Sequence, residues 1–288
     1  MTSTITISQL SPDLAFGARI AGVTFDTLAE PAVRDEINAV FEDRGLIVFD
    51  DVEPSAKMHV AISNVFGPLK DHPSPAVPRV DQDGMPGVID MTCRPNEPGL
   101  VEIGGRVLAQ WLPWHFDHCY NNELNRARIE CRNVLYRMNV IMENLRFGRP
   151  GDFAVRSEKP ISQDVMDAAA ATPRAVHPAV WTRKSGEKVL HVSPWMAEGI
   201  EGEEDAEGDA LLDAVCREIF ALAGKHADFH QWRPTDMLIW DNWRVLHSVT
   251  GHDPQYGRRM QRTTIKGDYG LGHFEGSGTG SKVLEMTF

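Results

Sequence analysis

The chain has 288 residues, 42% hydrophobic and 24% charged, an ordinary globular composition that excludes disordered and fibrous classes and allows a substantial core. Acidic residues outnumber basic ones by 41 to 29, and the formal charge of −12 opposes the phosphate neutralisation on which polynucleotide binding rests, so no nucleic-acid partner is expected. The opening MTSTITISQL lacks the basic start and long apolar run of a signal peptide, and no stretch reaches membrane-spanning length, which predicts a cytoplasmic protein with no membrane partner. Cys93, Cys119, Cys131 and Cys216 show neither CxxC spacing nor the density of a disulfide framework and read as free thiols, mostly in the core.

In chain order, Pro31 opens a helix whose apolar positions Val33, Ile37, Val40 and Phe41 share one face, with Gly45 placed to end it. Leu46 to Phe49 (LIVF) reads as a buried strand, and Met58, Ile62, Val65 and Phe66 repeat the helical pattern before Gly67. Beyond Pro68 the texture turns proline- and glycine-rich, with short runs of β character at Gly87 to Met91 and Val101 to Val107. Glu198 to Asp209 (EGIEGEEDAEGD) reads as a solvated mobile loop, and Asp209 to Ala223 as a helix stopping at Gly224. Met237 to Trp240, Val245 to His247 and Arg262 to Ile265 are the last strand candidates. No fixed-period repeat or linker divides the chain. Short strands around a pocket with helices outside describe a mostly β, α+β architecture, a jelly roll, better than a βαβ array.

The most informative segment is Trp114 to Tyr120, WHFDHCY. If it is extended, His115 and Asp117 project from one face and converge on a point. Two histidines and one carboxylate on one side of a metal leave the opposite positions open, the arrangement of non-haem Fe(II) oxygenases. An isolated HxD is more often a structural histidine beside an acid, so the third ligand decides the matter. At the other end, WDNWRVLHSVTGHDPQYGRRMQRTTIKGD (Trp240 to Asp268) places His247 after a strand-like run, with Arg258 and Arg262 on a common face beyond it.

This second segment resembles the distal signature of the TauD/TfdA family of 2-oxoglutarate dioxygenases, in which WDN precedes the second histidine and two arginines follow at this spacing. FGARIAGVTFD (Phe16 to Asp26), RGLIVFDD (Arg44 to Asp51), FGPLKDHP (Phe66 to Pro73) and VHPAVWTRKSGEKVLHV (Val176 to Val192) extend the resemblance over most of the chain. It implies a double-stranded β-helix (jelly roll) with flanking helices, as one domain over residues 1–288. It further implies that His115, Asp117 and His247 ligate Fe(II), and that Arg258 holds the distal carboxylate of 2-oxoglutarate, a task suited to a planar, permanently charged guanidinium. Arg262 would meet an anionic group on the substrate, with His72 assisting. The implied reaction is O2-dependent hydroxylation of a small anionic molecule, a carboxylate, sulfonate or sulfate, with release of succinate and CO2. Family members commonly self-associate, so the resemblance also implies a homo-oligomer, although no apolar stripe in the sequence marks its interface.

The chain departs from the family where NNELNRARIEC stands in place of a strand, a GGxTxF stretch and a helix. That stretch supplies a threonine partner for the 2-oxoglutarate carboxylate, so this contact has no counterpart here. Omission of a segment from the sequence fits better than loss of an inner strand, which would expose unpaired backbone groups. Trp111 and Trp243 stand where the family often has asparagine and arginine. Two other readings of the same residues stay open at this point: a zinc hydrolase on the His/Asp/His site, which would leave Arg258 unexplained, and a non-catalytic jelly-roll sensor.

Overall fold

The structure, a computed structural model, describes residues 5–71, 77–81, 84–117, 132–266 and 272–277. It opens with strands β1 (Thr6–Gln9) and β2 (Ala18–Ala21), then helices α1 (Phe25–Ala29) and α2 (Pro31–Arg44). A capping box between Thr24 and Thr27 starts α1, while α2 begins on its proline and ends at Gly45, whose φ of 71° favours glycine. β3 (Leu46–Asp50) and α3 (Ala56–Phe66) follow where the hydrophobic periodicity puts them, with Ser55 accepting from the N–H of Met58 as the α3 cap.

Strands β4 (Leu69–Lys70), β5 (Arg79–Asp81) and β6 (Met85–Cys93) lead to β7 (Leu100–Ile103) and β8 (Arg106–His115). The run Val101 to Val107, read from the sequence as one strand, is a hairpin instead. It turns at Gly104 and Gly105, whose φ of 59° and 70° suit a tight two-residue connection. Next come β9 (Asn133–Tyr136), a single 3-10 turn (Met142–Asn144), β10 (Ala154–Ser157), α4 (Gln163–Ala171), β11 (Ala175–Pro178), and the ribbon of β12 (Val180–Thr182) with β13 (Lys188–Leu190). The last elements are β14 (Ala197–Ile200), α5 (Ala206–His226), β15 (Met237–Trp240), β16 (His247–His252), β17 (Arg258–Ile265) and β18 (His273–Phe274).

The larger sheets are four-stranded, in the orders β1-β2-β3-β15, β10-β7-β8-β16, β4-β17-β6-β5 and β14-β9-β11-β18. Among the described residues the pairings are antiparallel except β2 with β3. Helices α1 to α3 cover the first sheet, where Ile37, Met58 and Ile62 bury against Ile20, Ile47, Phe49 and Ile239. Helix α5 packs Leu212 and Cys216 onto Val134, Tyr136, Ala175 and Ile200. Each such aliphatic side chain contributes about 1.5–3 kcal/mol through removal from water. The mostly β body with flanking helices is thus the expected one. Cys93 and Cys216 are free and buried, whereas Cys119 and Cys131 lie outside the described residues. Among the described residues no helix is long and apolar enough to cross a membrane.

Three expectations are corrected. The acidic run from Glu198 is not a loop: it holds most of β14 and the start of α5. Its carboxylates meet arginines, Glu198 with Arg137 at 2.8 Å and Glu203 with Arg132 at 2.8 Å. Helix α5 starts earlier than expected because the Asp205 carboxylate accepts from the N–H groups of Glu207 and Gly208. It also runs through Gly224 to His226, since a lone glycine inside a helix costs only about 1 kcal/mol. The strand expected from Val245 begins only at His247, because residues 241–246 form a turn with its own hydrogen bonds, from the N–H groups of Arg244 and Val245 to the Asp241 carbonyl.

Several histidines are buried or half-buried in this frame. His59, on α3, lies 3.1 Å from the Thr263 hydroxyl of β17, and burial pushes its pKa down to about 4 although a hydrogen bond with Gln261 acts the other way. Burial likewise lowers His191 to about 3. In the unfolded chain both bind a proton near pH 6.5, whereas in the folded chain they do not. Their contribution to stability is therefore complete above that pH and is lost progressively as pH falls towards 4 and 3. Urea unfolding at pH 7 and pH 5.5 is expected to show a loss of about 1–2 kcal/mol per histidine, with a shallower dependence in His59→Gln. An identical dependence in that variant would remove His59 from the account.

Candidate active site

His115 closes β8 and His247 opens β16, and the antiparallel register sets the two residues directly opposite each other. Their rings lie 4.0 Å apart, centroid to centroid. Between this pair and the Val249–Leu112 pair, β8 carries one residue more than β16, a bulge at Pro113 and Trp114. Proline has no N–H to give to a ladder and settles at such places. The Pro113 carbonyl turns to Nδ1 of His115 at 2.7 Å, and the Ser248 hydroxyl donates to the Leu112 carbonyl at 2.8 Å. Because a carbonyl can only accept, Nδ1 of His115 carries the proton and Nε2 keeps its lone pair. Burial pushes the His115 pKa down to about 4, reinforced by His247 and opposed by Asp117, so the ring is neutral at ordinary pH.

Asp117 lies just past the end of β8, yet its side chain still converges with that of His115 while Phe116 points the other way into the core, 1% exposed. Its backbone is held from both sides by one side chain. The Asp117 N–H donates to Oδ1 of Asn242 at 2.9 Å, and Nδ2 of Asn242 donates to the Asp117 carbonyl at 2.7 Å. Oδ2 of the carboxylate is 3.4 Å from Nε2 of His247, and Oδ1 accepts from Arg262 at 3.0 Å. Burial alone would raise the Asp117 carboxyl, but the His247 contact and the Arg262 charge more than reverse this and hold it well below the usual carboxylate range.

Asn242 belongs to the turn that follows β15. This turn is anchored to the α2–β3 corner, where the Asp241 N–H donates to the Gly45 carbonyl at 2.7 Å and Arg244 donates to the carbonyls of Phe41 at 3.0 Å and Glu42 at 2.9 Å. A Cβ on Gly45 would lie 2.5 Å from that guanidinium, so a larger residue would displace the Arg244 side chain besides straining the backbone at this φ. The WDN run was conspicuous in the sequence, but neither the Asn242 clamp nor the Pro113 bulge was foreseen. Proline inside a strand-like run was the available signal for the bulge.

Arg258 and Arg262 share the inward face of β17, while Arg259 between them points out to Asp90 at 2.8 Å. Arg258 sits opposite Cys93 of β6, half-buried, and makes no ion pair among the described residues. Burial draws its pKa below the ordinary value, weakly opposed by Cys93. His72 lies outside the described residues, as does the whole NNELNRARIEC segment. An open cleft of about 2670 Å³ contains the site, and its walls there include Leu112, Trp114, Trp240 and Leu246 beside the two arginines. The Trp240 ring lies 4.8 Å from that of His247.

One donor atom from each of His115, Asp117 and His247 lies within 4.8 Å of the other two. The neutral His115 imidazole, the His247 imidazole and a carboxylate that stays ionised make a donor set that could hold Fe(II). Arg258, a cation without an internal counter-ion among the described residues, suits a dicarboxylate bound beside such a metal.

Comparison with known proteins gives a consistent set of matches. Residues 6–128 and 141–264 match the family described as "Taurine catabolism dioxygenase TauD, TfdA family". The (S)-phenoxypropionate/alpha-ketoglutarate-dioxygenase of Sphingobium herbicidovorans is 23% identical over 289 residues, covering 89% of this chain and 93% of that protein. The alpha-ketoglutarate-dependent 2,4-dichlorophenoxyacetate dioxygenase of a Burkholderia species is 34% identical over 98 residues, 34% of this chain and 32% of the other. Among solved structures, a taurine dioxygenase from Burkholderia xenovorans aligns with a TM-score of 0.56 at 22% identity, over 92% of this chain and 90% of that one. AAD-2 in complex with Mn(II) and N-oxalylglycine aligns with a TM-score of 0.54 at 16% identity, over 93% and 99%. These likenesses give the jelly-roll fold.

Removal of the two-sided clamp has a measurable consequence. Asn242→Ala is expected to weaken binding of a divalent cation such as Co(II) by about 10- to 100-fold, the usual size for residues that orient ligands. Titration by visible absorption reads it, and unchanged affinity would show that Asp117 holds its place without the asparagine.

Proposed function

The chain belongs to the taurine catabolism dioxygenase TauD, TfdA family, and from that premise we propose that His115, Asp117 and His247 hold its iron and that its substrate is a small organic anion. It is accordingly an alpha-ketoglutarate-dependent dioxygenase, with Fe(II), 2-oxoglutarate and O2 as its reaction partners. Membership in this family sets aside the zinc-hydrolase and sensor readings. The single observation that carries the assignment of ligands is the convergence of the three donor atoms within 4.8 Å, with His247 coming from a segment distant in the chain from His115 and Asp117.

Iron with 2-oxoglutarate and O2 supplies the oxidising power for hydroxylation, yielding succinate and CO2. The chain's own residues bind, orient and shield. His115 offers Nε2 because the Pro113 carbonyl occupies its other nitrogen, and burial keeps the ring unprotonated. Asp117 stays ionised through His247 and Arg262, so neither it nor His115 has to lose a proton before it can bind a metal. Arg258 takes the distal carboxylate of 2-oxoglutarate as a bidentate partner. Arg262, already aimed at Asp117, presents positive charge beside the metal ligands and would meet an anionic group of the substrate, with His72 as its helper. The apolar walls at Leu112, Trp114 and Trp240 would contact the body of that substrate.

Support for an anionic substrate comes from Arg262 and from the relatives, whose names specify phenoxypropionate and 2,4-dichlorophenoxyacetate, both carboxylates, and taurine, a sulfonate. Anaerobic addition of Fe(II) and 2-oxoglutarate is expected to develop a visible charge-transfer band that His115→Ala and His247→Ala abolish. A wild-type protein that never shows the band would overturn the ligand assignment. A screen of small carboxylates, sulfonates and sulfates, scored by substrate-linked succinate release, then identifies the substrate class. Arg258→Ala should raise KM for 2-oxoglutarate by 10-fold or more and Arg262→Ala that for the substrate, the loss of a charge-assisted pair worth roughly 1.5–3 kcal/mol. Substrate KM untouched in Arg262→Ala would sink the anion assignment.

A further inference from the structure

We propose that Ser193 is a positioning residue for the metal-binding corner, fixing the backbone between His115 and Asp117 from behind. The inference rests on the reading of those two residues as iron ligands. The β8–β16 ladder ends at the His115–His247 pair, so the backbone N–H groups of Phe116 and Asp117 leave the strand without a ladder partner. Buried donors of this kind need an acceptor from elsewhere. Side chains distant in sequence supply one each. The Asp117 N–H goes to Asn242, and the Phe116 N–H donates to the Ser193 hydroxyl oxygen at 3.1 Å. Ser193 is 0% exposed and Phe116 1%, so bulk water has no access to replace this acceptor.

Ser193 is itself tied down. Its N–H donates to the Tyr136 hydroxyl at 3.3 Å, and that hydroxyl donates to the His191 carbonyl at 3.1 Å, so a single fully buried phenol spans residues 191–193 and locks them onto β9. The ring of Phe116 stacks on His191 at 4.2 Å with planes 12° apart, and His191 stacks in turn on Trp243 at 5.6 Å and 21°. Trp243 adjoins Asn242. The support therefore runs from β9 through Ser193 and Phe116 to the ligand corner, and through His191 back to the turn that clamps Asp117. Without the Ser193 oxygen the peptide between the two ligands loses one of its two side-chain anchors, and the angle between the His115 and Asp117 side chains is free to open. A residue that merely fills the core would change stability without changing the metal site of the folded protein.

The test uses the full chain and Co(II) under oxygen-free conditions. Wild-type protein is titrated while its d–d absorption is followed, with His115→Ala as the control that must lose binding. Ser193→Ala is expected to bind Co(II) about 10- to 100-fold more weakly, with an altered d–d band and faster hydrogen exchange at the Phe116 amide. Tyr136→Phe, which removes only the hydroxyl that holds Ser193, should shift affinity in the same direction by a smaller factor. A folded Ser193→Ala protein with wild-type affinity and band overturns the proposal. If Ser193→Ala does not fold, Tyr136→Phe decides, and wild-type values there overturn it equally. Failure of wild-type protein to bind Co(II), or undiminished binding by His115→Ala, would instead bring down the ligand reading on which the proposal stands.

Discussion

The pairing of β8 with β16 is the constraint on which the rest of the site depends. A single register sets His115 against His247 across the ladder, and a shift by one residue would send one of the imidazoles to the opposite face. The bulge at Pro113 completes the arrangement, because the extra residue on β8 brings a backbone carbonyl to Nδ1 of His115. Strand geometry thus chooses both where the ring lies and which nitrogen it presents.

Electrostatics then sets the protonation state of the donors. Burial disfavours charge on His115 and would do the same for Asp117, but the carboxylate has two favourable neighbours, His247 and Arg262, and these prevail. The inward arginines of β17 divide the remaining positive charge. Arg262 is committed to Asp117, while Arg258, four residues earlier on the same strand face and half-buried, makes no ion pair among the described residues. A neutral imidazole beside an ionised carboxylate, with one cation engaged and another that has no ion pair among the described residues, would suit a metal that also receives a dicarboxylate.

The frame around the site is built to keep a turn still. Residues 241–244 hang from the end of α2 through Arg244 and from Gly45 through the Asp241 N–H, and the same turn carries the side chain that grips Asp117 on both sides of its peptide. The Trp243 ring stacks on His191 while Arg244, the next residue, reaches the helix end. The core beneath α1 to α3 is therefore connected mechanically to the corner that carries His115 and Asp117.

Much of this could be read from residues in order. Helical periodicity over Val33, Ile37, Val40 and Phe41 with Gly45 behind it defines α2 locally, since a 3.6-residue pattern and a left-handed cap need no distant partner. The same holds for α3, β3 and β15, and the HxD and WDN motifs with two later arginines pointed to the family and its chemistry. Local pattern failed where long-range pairing or a side-chain cap decides the outcome. The acidic run after Glu198 looks like a solvated loop until Arg132 and Arg137 are known to face it. The start of β16 depends on the partner strand, and its end of the ladder fixes which peptide groups remain for Asn242 and Ser193 to accept. Residue identity and spacing determined which side chains could bind a metal. Their meeting point was decided by the pairing of β8 with β16 and their supports by hydrogen bonds between segments 77 and 125 residues apart, which no linear pattern encodes, while the bulge at Pro113 set the tautomer.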